Sequence, residues 1–151
     1  FKKGVMLGFH GRHTRAHLYR SMLEAIALTM KNHVDAMCRE LGIELDQIIV
    51  SGGGARSGLF MQIFADVFGI PAIRNEITDA AGLGSVICAA VATNAYDTFG
   101  TAIEKMVRIR DVFHPIPDHT SLYEKMNQYV YRHITGFTDG ILEKSYTIFK
   151  Q

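Results

Sequence analysis

Tryptophan is absent from this chain, and cysteine occurs only twice and proline three times in 151 residues. Two cysteines, Cys38 and Cys88, are too few for a disulfide framework, and their separation fits no zinc motif. Both fall within expected helices, which reads as a pair of reduced core thiols in a cytoplasmic protein. No apolar run reaches the ~18 residues that a membrane span requires, so no membrane partner is expected. Neither sign of charge prevails, with Lys+Arg 16 against Asp+Glu 15 and a net charge of +1, and no basic stripe argues for nucleic acid. Gly-Lys-Ser and Gly-Lys-Thr are both missing, which excludes a P-loop. The dinucleotide fingerprint fails too: counted from Gly52 its third glycine falls on Ser57, and counted from Gly82 it falls on Ile87. A G-x-S-x-G hydrolase elbow is likewise absent. The opening Phe1-Lys2-Lys3-Gly4 has neither an initiator Met nor the features of a signal peptide, which leads us to expect a piece of a longer protein.

What the chain does contain is organised around Ile48-Ile49-Val50-Ser51-Gly52-Gly53-Gly54-Ala55-Arg56-Ser57-Gly58. A β-branched run reads as a buried strand over 47–51, three glycines break it, and an apolar helix over 58–68 begins at once. Glycine opens dihedrals closed to other residues and lets a flat or anionic group approach the main chain. The helix that follows turns its free N–H groups and positive dipole end toward the same corner. On spacing alone two readings stand side by side: a nucleotide seat, and a sharp turn whose glycines are purely steric.

The length suits a single domain over 1–151, able to bury about 70% of its extended surface. Thr14 can cap a helix whose stripe of Leu18, Met22, Ile26, Met30, Val34, Met37 and Leu41 runs to a stop at Gly42. After the glycine-corner helix, Gly69 and Pro71 end it, and a second strand over 70–74 is expected parallel to the first. Asp79 can cap a helix over 80–96 that opens on small residues, including Gly82 and Gly84. Each glycine costs about 1 kcal/mol against Ala there, and close approach of another backbone or a ligand is the usual offset. Thr101 and Glu104 form a capping box for a helix reaching about Arg110, Pro115 and Pro117 mark a bend, and residues 121–149 read as one long amphipathic helix weakened at Gly136 and Gly140. The result is an α/β unit, mostly helical, with few strands. Two strands make a poor sheet, so partner strands are expected upstream.

Taken together, these residues resemble the C-terminal lobe of the FGGY carbohydrate kinases, sugar kinases of the actin-like (ribonuclease H-like) ATPase superfamily. The resemblance rests on Arg15-Ala-His-Leu-Tyr-Arg-Ser-Met-Leu-Glu24, on Ile49-Val-Ser-Gly-Gly-Gly-Ala-Arg-Ser57 with Gln62-Ile-Phe-Ala-Asp66-Val-Phe-Gly-Ile-Pro71, and on Ala80-Ala-Gly-Leu-Gly-Ser-Val-Ile-Cys-Ala-Ala90. It implies an ATP-dependent kinase, xylulokinase- or ribulokinase-like, that phosphorylates a hydroxyl of a pentulose or related carbohydrate with ATP and Mg²⁺. Adenosine would lie against Gly52, Gly53, Gly54 and Ala55, with Arg56 and Ser57 as neighbours and Glu24 beside the ribose. The sugar site and the catalytic Asp belong to the other lobe, so no catalytic residue is expected here, and this segment alone would be inactive. A homodimer through this lobe is admitted by the resemblance. Three departures leave the subfamily open: Thr78-Asp79 stand where Glu is usual, Ser85 replaces a common Ala, and Phe60 stands where Trp is frequent.

Two local features, and the chain as a whole, invite other readings. His10, His13 and His17 could suggest a metal, but no acidic residue or Cys accompanies them at ligand spacing, and helix-start histidines are the plainer account. Asp66, on an otherwise apolar helix, is expected to partner a backbone group or an Arg rather than act as a base. The rival function is a non-catalytic helical interaction or oligomerisation domain in which the glycine corner is only a turn.

Overall fold

The computed structural model of the chain describes residues 4–149. The elements run α1 (Arg15–Leu41), β1 (Ile48–Ile49), a 3₁₀ turn (Gly53–Arg56), α2 (Gly58–Phe68), β2 (Ala72–Asn75), α3 (Ala80–Ala92), α4 (Phe99–Met106), β3 (Ile109–Phe113), α5 (Pro117–Met126), a π-helical turn (Asn127–Tyr131) and α6 (Arg132–Phe149). β1 pairs with β2 in parallel, Ile48 against Ala72 and Ile49 against Ile73. β3 then adds antiparallel to the other edge of β2, setting Arg74 opposite Asp111.

α2 is the centre of the core because it is apolar nearly all round. Phe60, Met61, Ile63, Phe64, Ala65 and Val67 are buried, packed with Ala27 and Leu28 of α1 and Tyr123 of α5. Its limits are those its caps dictate: Ser57 accepts from the Phe60 N–H at one end, and Gly69, at φ 72°, closes the other in the left-handed region. α1 closes in the same way at Gly42, φ 65°.

Several expectations are corrected. The apolar stripe of α1 is not its buried face: Met22, Ile26, Met30, Met37 and Leu41 are exposed, and Ala27 and Leu28 supply the contact with α2. α3 stops at Ala92, short of 96, and Asn94 follows with a positive φ of 56°. The helix expected from Thr101 begins earlier, capped by Thr98, and ends at Met106, so that the chain can enter β3, a third strand. The tail is helical throughout from Pro117 to Phe149, and its irregularity is a π-helical turn at Asn127–Tyr131 rather than a weakening at Gly136 or Gly140. Asn127 is buried there and pairs both ways with Asn32 of α1: its Nδ2 donates to Asn32 Oδ1 at 2.8 Å, and its Oδ1 accepts from Asn32 Nδ2 at 3.0 Å. That pairing fixes the local helix against α1 and accommodates an extra residue in the turn. Cys88 is exposed and Cys38 half-buried, so neither is a core thiol; both are free.

Asp66 behaves as expected. Only 2% exposed, its Oδ1 accepts from the Ile116 N–H at 2.8 Å and from Gln62 Nε2 at 2.8 Å, and its Oδ2 meets His119 Nδ1 at 2.9 Å. A buried carboxylate thereby ties α2 to the start of α5.

Candidate functional site

β1 delivers the chain to Ser51, and Gly52 turns it with φ 81° and ψ −167°, a conformation open essentially to glycine alone. The Gly52 N–H donates to the Thr78 carbonyl at 2.6 Å. The 3₁₀ turn then closes through Ala55 N–H to Gly52 O at 3.2 Å and Ser57 N–H to Gly54 O at 3.1 Å, and Ser57 passes the chain into α2.

The three glycines serve different ends. A Cβ on Gly52 or Gly53 would meet nothing within 4 Å, so both present bare main chain to open space. A Cβ on Gly54 would come within 2.5 Å of the Phe60 ring, so that glycine is required by packing. Ala55 is fully buried, with its side chain in the core, whereas Arg56 is exposed and Ser57 half-buried. Gly52 to Ser57 thus form one compact corner in which Gly52 and Gly53 have no side chain beside them. No carboxylate, His or Cys lies within the turn, so it offers a surface and backbone donors rather than acid–base chemistry.

Glu24 stands in a separate arrangement. Its Oε1 accepts from Arg20 Nε at 2.8 Å and from the Tyr123 hydroxyl at 2.8 Å, while Arg20 Nη2 donates to Tyr123 at 3.2 Å. These bonds fasten α1 to α5. The Tyr123 phenol is held above its ordinary value of 10.0 by burial, with Glu24 adding to the shift and Arg20 opposing it. The Arg20 guanidinium holds its proton more tightly than usual because of its bond to Glu24.

One residue at the corner was not legible in the sequence. Arg74, on β2 and only 8% exposed, donates from Nη1 to the Ala55 carbonyl at 3.0 Å and to the Arg56 carbonyl at 3.4 Å. Its Nε donates to Asp111 Oδ2 at 2.7 Å, its Nη2 bonds the same oxygen, and its guanidinium lies over the Phe113 ring at 5.2 Å. The signal available was a cation closing the short apolar strand Ile70-Pro-Ala-Ile73, where a merely solvated Arg is the usual reading.

α3 runs on from Thr78 and Asp79. Asp79 accepts from the Gly82 N–H at 3.0 Å, and a Cβ on Gly82 would clash with that carboxylate at 2.7 Å, which accounts for one helical glycine. Gly84 has nothing within 4 Å, and no described residue accounts for it.

His10, His13 and His17 sit together, the first two rings 4.0 Å apart, but each Nδ1 accepts a backbone N–H. Among the described residues no group of three or more His, Cys, Asp or Glu is arranged to hold a metal ion. Among them, too, no helix is long and apolar enough to cross a membrane.

Comparison with known proteins gives the family of the chain. Residues 2–93 match the FGGY family of carbohydrate kinases, C-terminal domain. The chain is 45% identical over 148 residues to the uncharacterized sugar kinase YgcE of Escherichia coli (strain K12), covering 98% of this chain and 30% of that protein. It is 36% identical over 104 residues to a glycerol kinase of Geobacter sp. (strain M21), covering 69% of this chain and 21% of that one. In structure it superposes on xylulose kinase from Rhodospirillum rubrum with a TM-score of 0.79 at 26% identity, over 95% of this chain and 29% of the other. The chain therefore spans about a third or less of the length of these relatives. The helical lobe with its small sheet is the actin-like fold of these kinases, and the chain belongs to the FGGY family of carbohydrate kinases, to whose C-terminal domain residues 2–93 correspond.

Proposed function

We propose that this chain is the adenosine-binding half of a cytoplasmic, ATP-dependent sugar kinase that phosphorylates a hydroxyl of a pentulose or related carbohydrate. The observation that carries the reading is the bare main chain at Gly52 and Gly53, open at the N-terminal end of α2 while Phe60 fills the space beside Gly54. A planar base can rest there without meeting a side chain. In this reading Gly52, Gly53 and Gly54 form the floor, Arg56 and Ser57 flank it, and Ala55, fully buried, supports the floor from the core and does not touch the base. Glu24 is the least favoured of the seven candidates, because its Oε1 is already engaged by Arg20 and Tyr123. Bound ATP supplies the γ-phosphoryl group, and Mg²⁺ carried on its phosphates neutralises their charge. The sugar pocket and the carboxylate that takes the hydroxyl proton lie in the other lobe.

The test is ATP turnover by the full polypeptide against xylulose, ribulose, glycerol and gluconate, alongside unfolding of the same protein with increasing ADP. A ligand that binds only the folded state raises the midpoint. Turnover with a ketopentose, and loss of the ADP response in Gly53→Trp, are the expected results. No ADP response in the full polypeptide would sink the reading.

The exposed apolar faces of α1 and α6 favour the second reading, a non-catalytic interaction or homodimerisation domain. Sedimentation showing a dimer, in a protein indifferent to nucleotide, would decide for it.

A further inference from the structure

We infer that Arg74 is the positioning residue of the nucleotide turn: its guanidinium, held by Asp111 and Phe113, grips the Ala55 and Arg56 carbonyls and keeps Gly52 and Gly53 in the shape that receives adenosine. This rests on the reading of the corner given above.

The argument begins with unpaired backbone. α2 starts at Gly58 with Ser57 as its cap, so the carbonyls of Ala55 and Arg56 fall between the 3₁₀ turn and the helix, and neither is used by the turn's own bonds. Ala55 is fully buried, and a buried carbonyl must find a donor. Arg74 Nη1 is that donor for both. A buried guanidinium in turn requires a counter-charge, and Asp111, directly opposite on β3, supplies it. The Phe113 ring fixes the plane of the fork.

The opposite end of the turn is tied to the same stretch of chain, because the Gly52 N–H donates to Thr78 O just beyond β2. The corner is therefore clamped at both ends, and its middle is left without side chains. Such a loop is preorganised: its ordering cost is met in folding and not again on binding. Arg74 is only 8% exposed and bonds the carbonyls of Ala55 and Arg56 rather than the open face at Gly52–Gly53, so its loss should weaken nucleotide binding without touching the chemical step.

The experiment compares Arg74→Lys, Arg74→Met and Asp111→Asn with wild type in the full polypeptide, measuring kcat and the separate KM values for ATP and sugar. Lysine keeps the charge but loses the fork. We expect KM for ATP to rise about tenfold in Arg74→Met and by less in Arg74→Lys, with kcat and the sugar KM within about twofold. Asp111→Asn keeps Arg74 and should raise the ATP KM about threefold, which serves as the test if the Met variant does not fold. Unchanged KM for ATP in folded Arg74→Lys and Asp111→Asn overturns the proposal, as does an equal rise in both KM values. Gly53→Trp separates the two levels of inference. If it abolishes ATP saturation while the Arg74 and Asp111 variants behave as wild type, the adenosine site stands and the positioning role falls. If it leaves ATP kinetics untouched, the site itself is misplaced and the positioning role falls with it.

Discussion

The ring of Phe60 stands where the side chain of residue 54 would be: a Cβ built on Gly54 lies 2.5 Å from Cε1 and 2.8 Å from Cδ1. The ring cannot retreat freely, because it packs edge-on against Phe64 at 4.8 Å in the buried core. Gly54→Ala should therefore cost about 1–3 kcal/mol, the range of an overpacked core. Gly53→Ala, one position away in open space, should stay within about 0.5 kcal/mol of wild type. Denaturant unfolding of the two variants distinguishes them, and Phe60→Leu combined with Gly54→Ala should recover part of the loss.

Gly52 presents a different obstacle. Space is available around it, but φ 81° with ψ −167° is barred to side-chain-bearing residues. Gly52→Ala should lose about 1–3 kcal/mol through backbone strain alone. The check is whether Gly52→Asn, equally roomy, is impaired to a comparable degree in thermal unfolding.

Asp66 gathers three donors in a site that is 2% exposed. Asp66→Ala would strand the Ile116 N–H and leave the Gln62 amide only its bond to the His114 carbonyl, and a loss of about 1–3 kcal/mol is expected, as for a buried donor left unsatisfied. His119→Ala leaves the buried backbone donor satisfied and should cost markedly less. Urea midpoints of the two variants give the comparison.

Tyr123→Phe removes the hydroxyl that joins Glu24 and Arg20, and about 1–2 kcal/mol should go with it. The contribution depends on pH in a fixed direction. The folded phenol titrates above the unfolded one, so the unfolded state loses its proton first as the pH rises past about 10. The stability difference between wild type and Tyr123→Phe should hold steady below pH 10 and shrink above it. A difference that grows with alkaline pH would contradict the assignment.

How far the sequence could be read depended on whether a structural signal was local. α2 was legible to the residue because Ser57 and Gly69 punctuate it and its composition admits only burial. The parallel pairing of β1 and β2 followed from the helix between them. β3 was hidden because Ile109-Arg-Asp-Val-Phe113 carries two charges and follows a strong helix signal, and only its pairing with β2 makes it a strand. The α1 stripe was visible as a pattern, but which side faces α2 was set by partners remote in sequence. At the site, the glycine corner was evident, whereas Arg74 was not. Its value comes from two carbonyls 18 and 19 positions away and an aspartate 37 positions away, distances that no local motif spans.

The π-helical turn at Asn127–Tyr131 works on the tail as an indexing step. One added residue in a helix advances everything after it by about 100° around the axis. Phe137, Ile141 and Ile148 are thereby aimed outward, Phe137 at 80% exposure, although a continuous helix would have swung them to another bearing. A single-residue insertion or deletion there would redirect the whole oily side of α6 while leaving its composition untouched, so the orientation of that surface is encoded in a count of residues rather than in their chemistry.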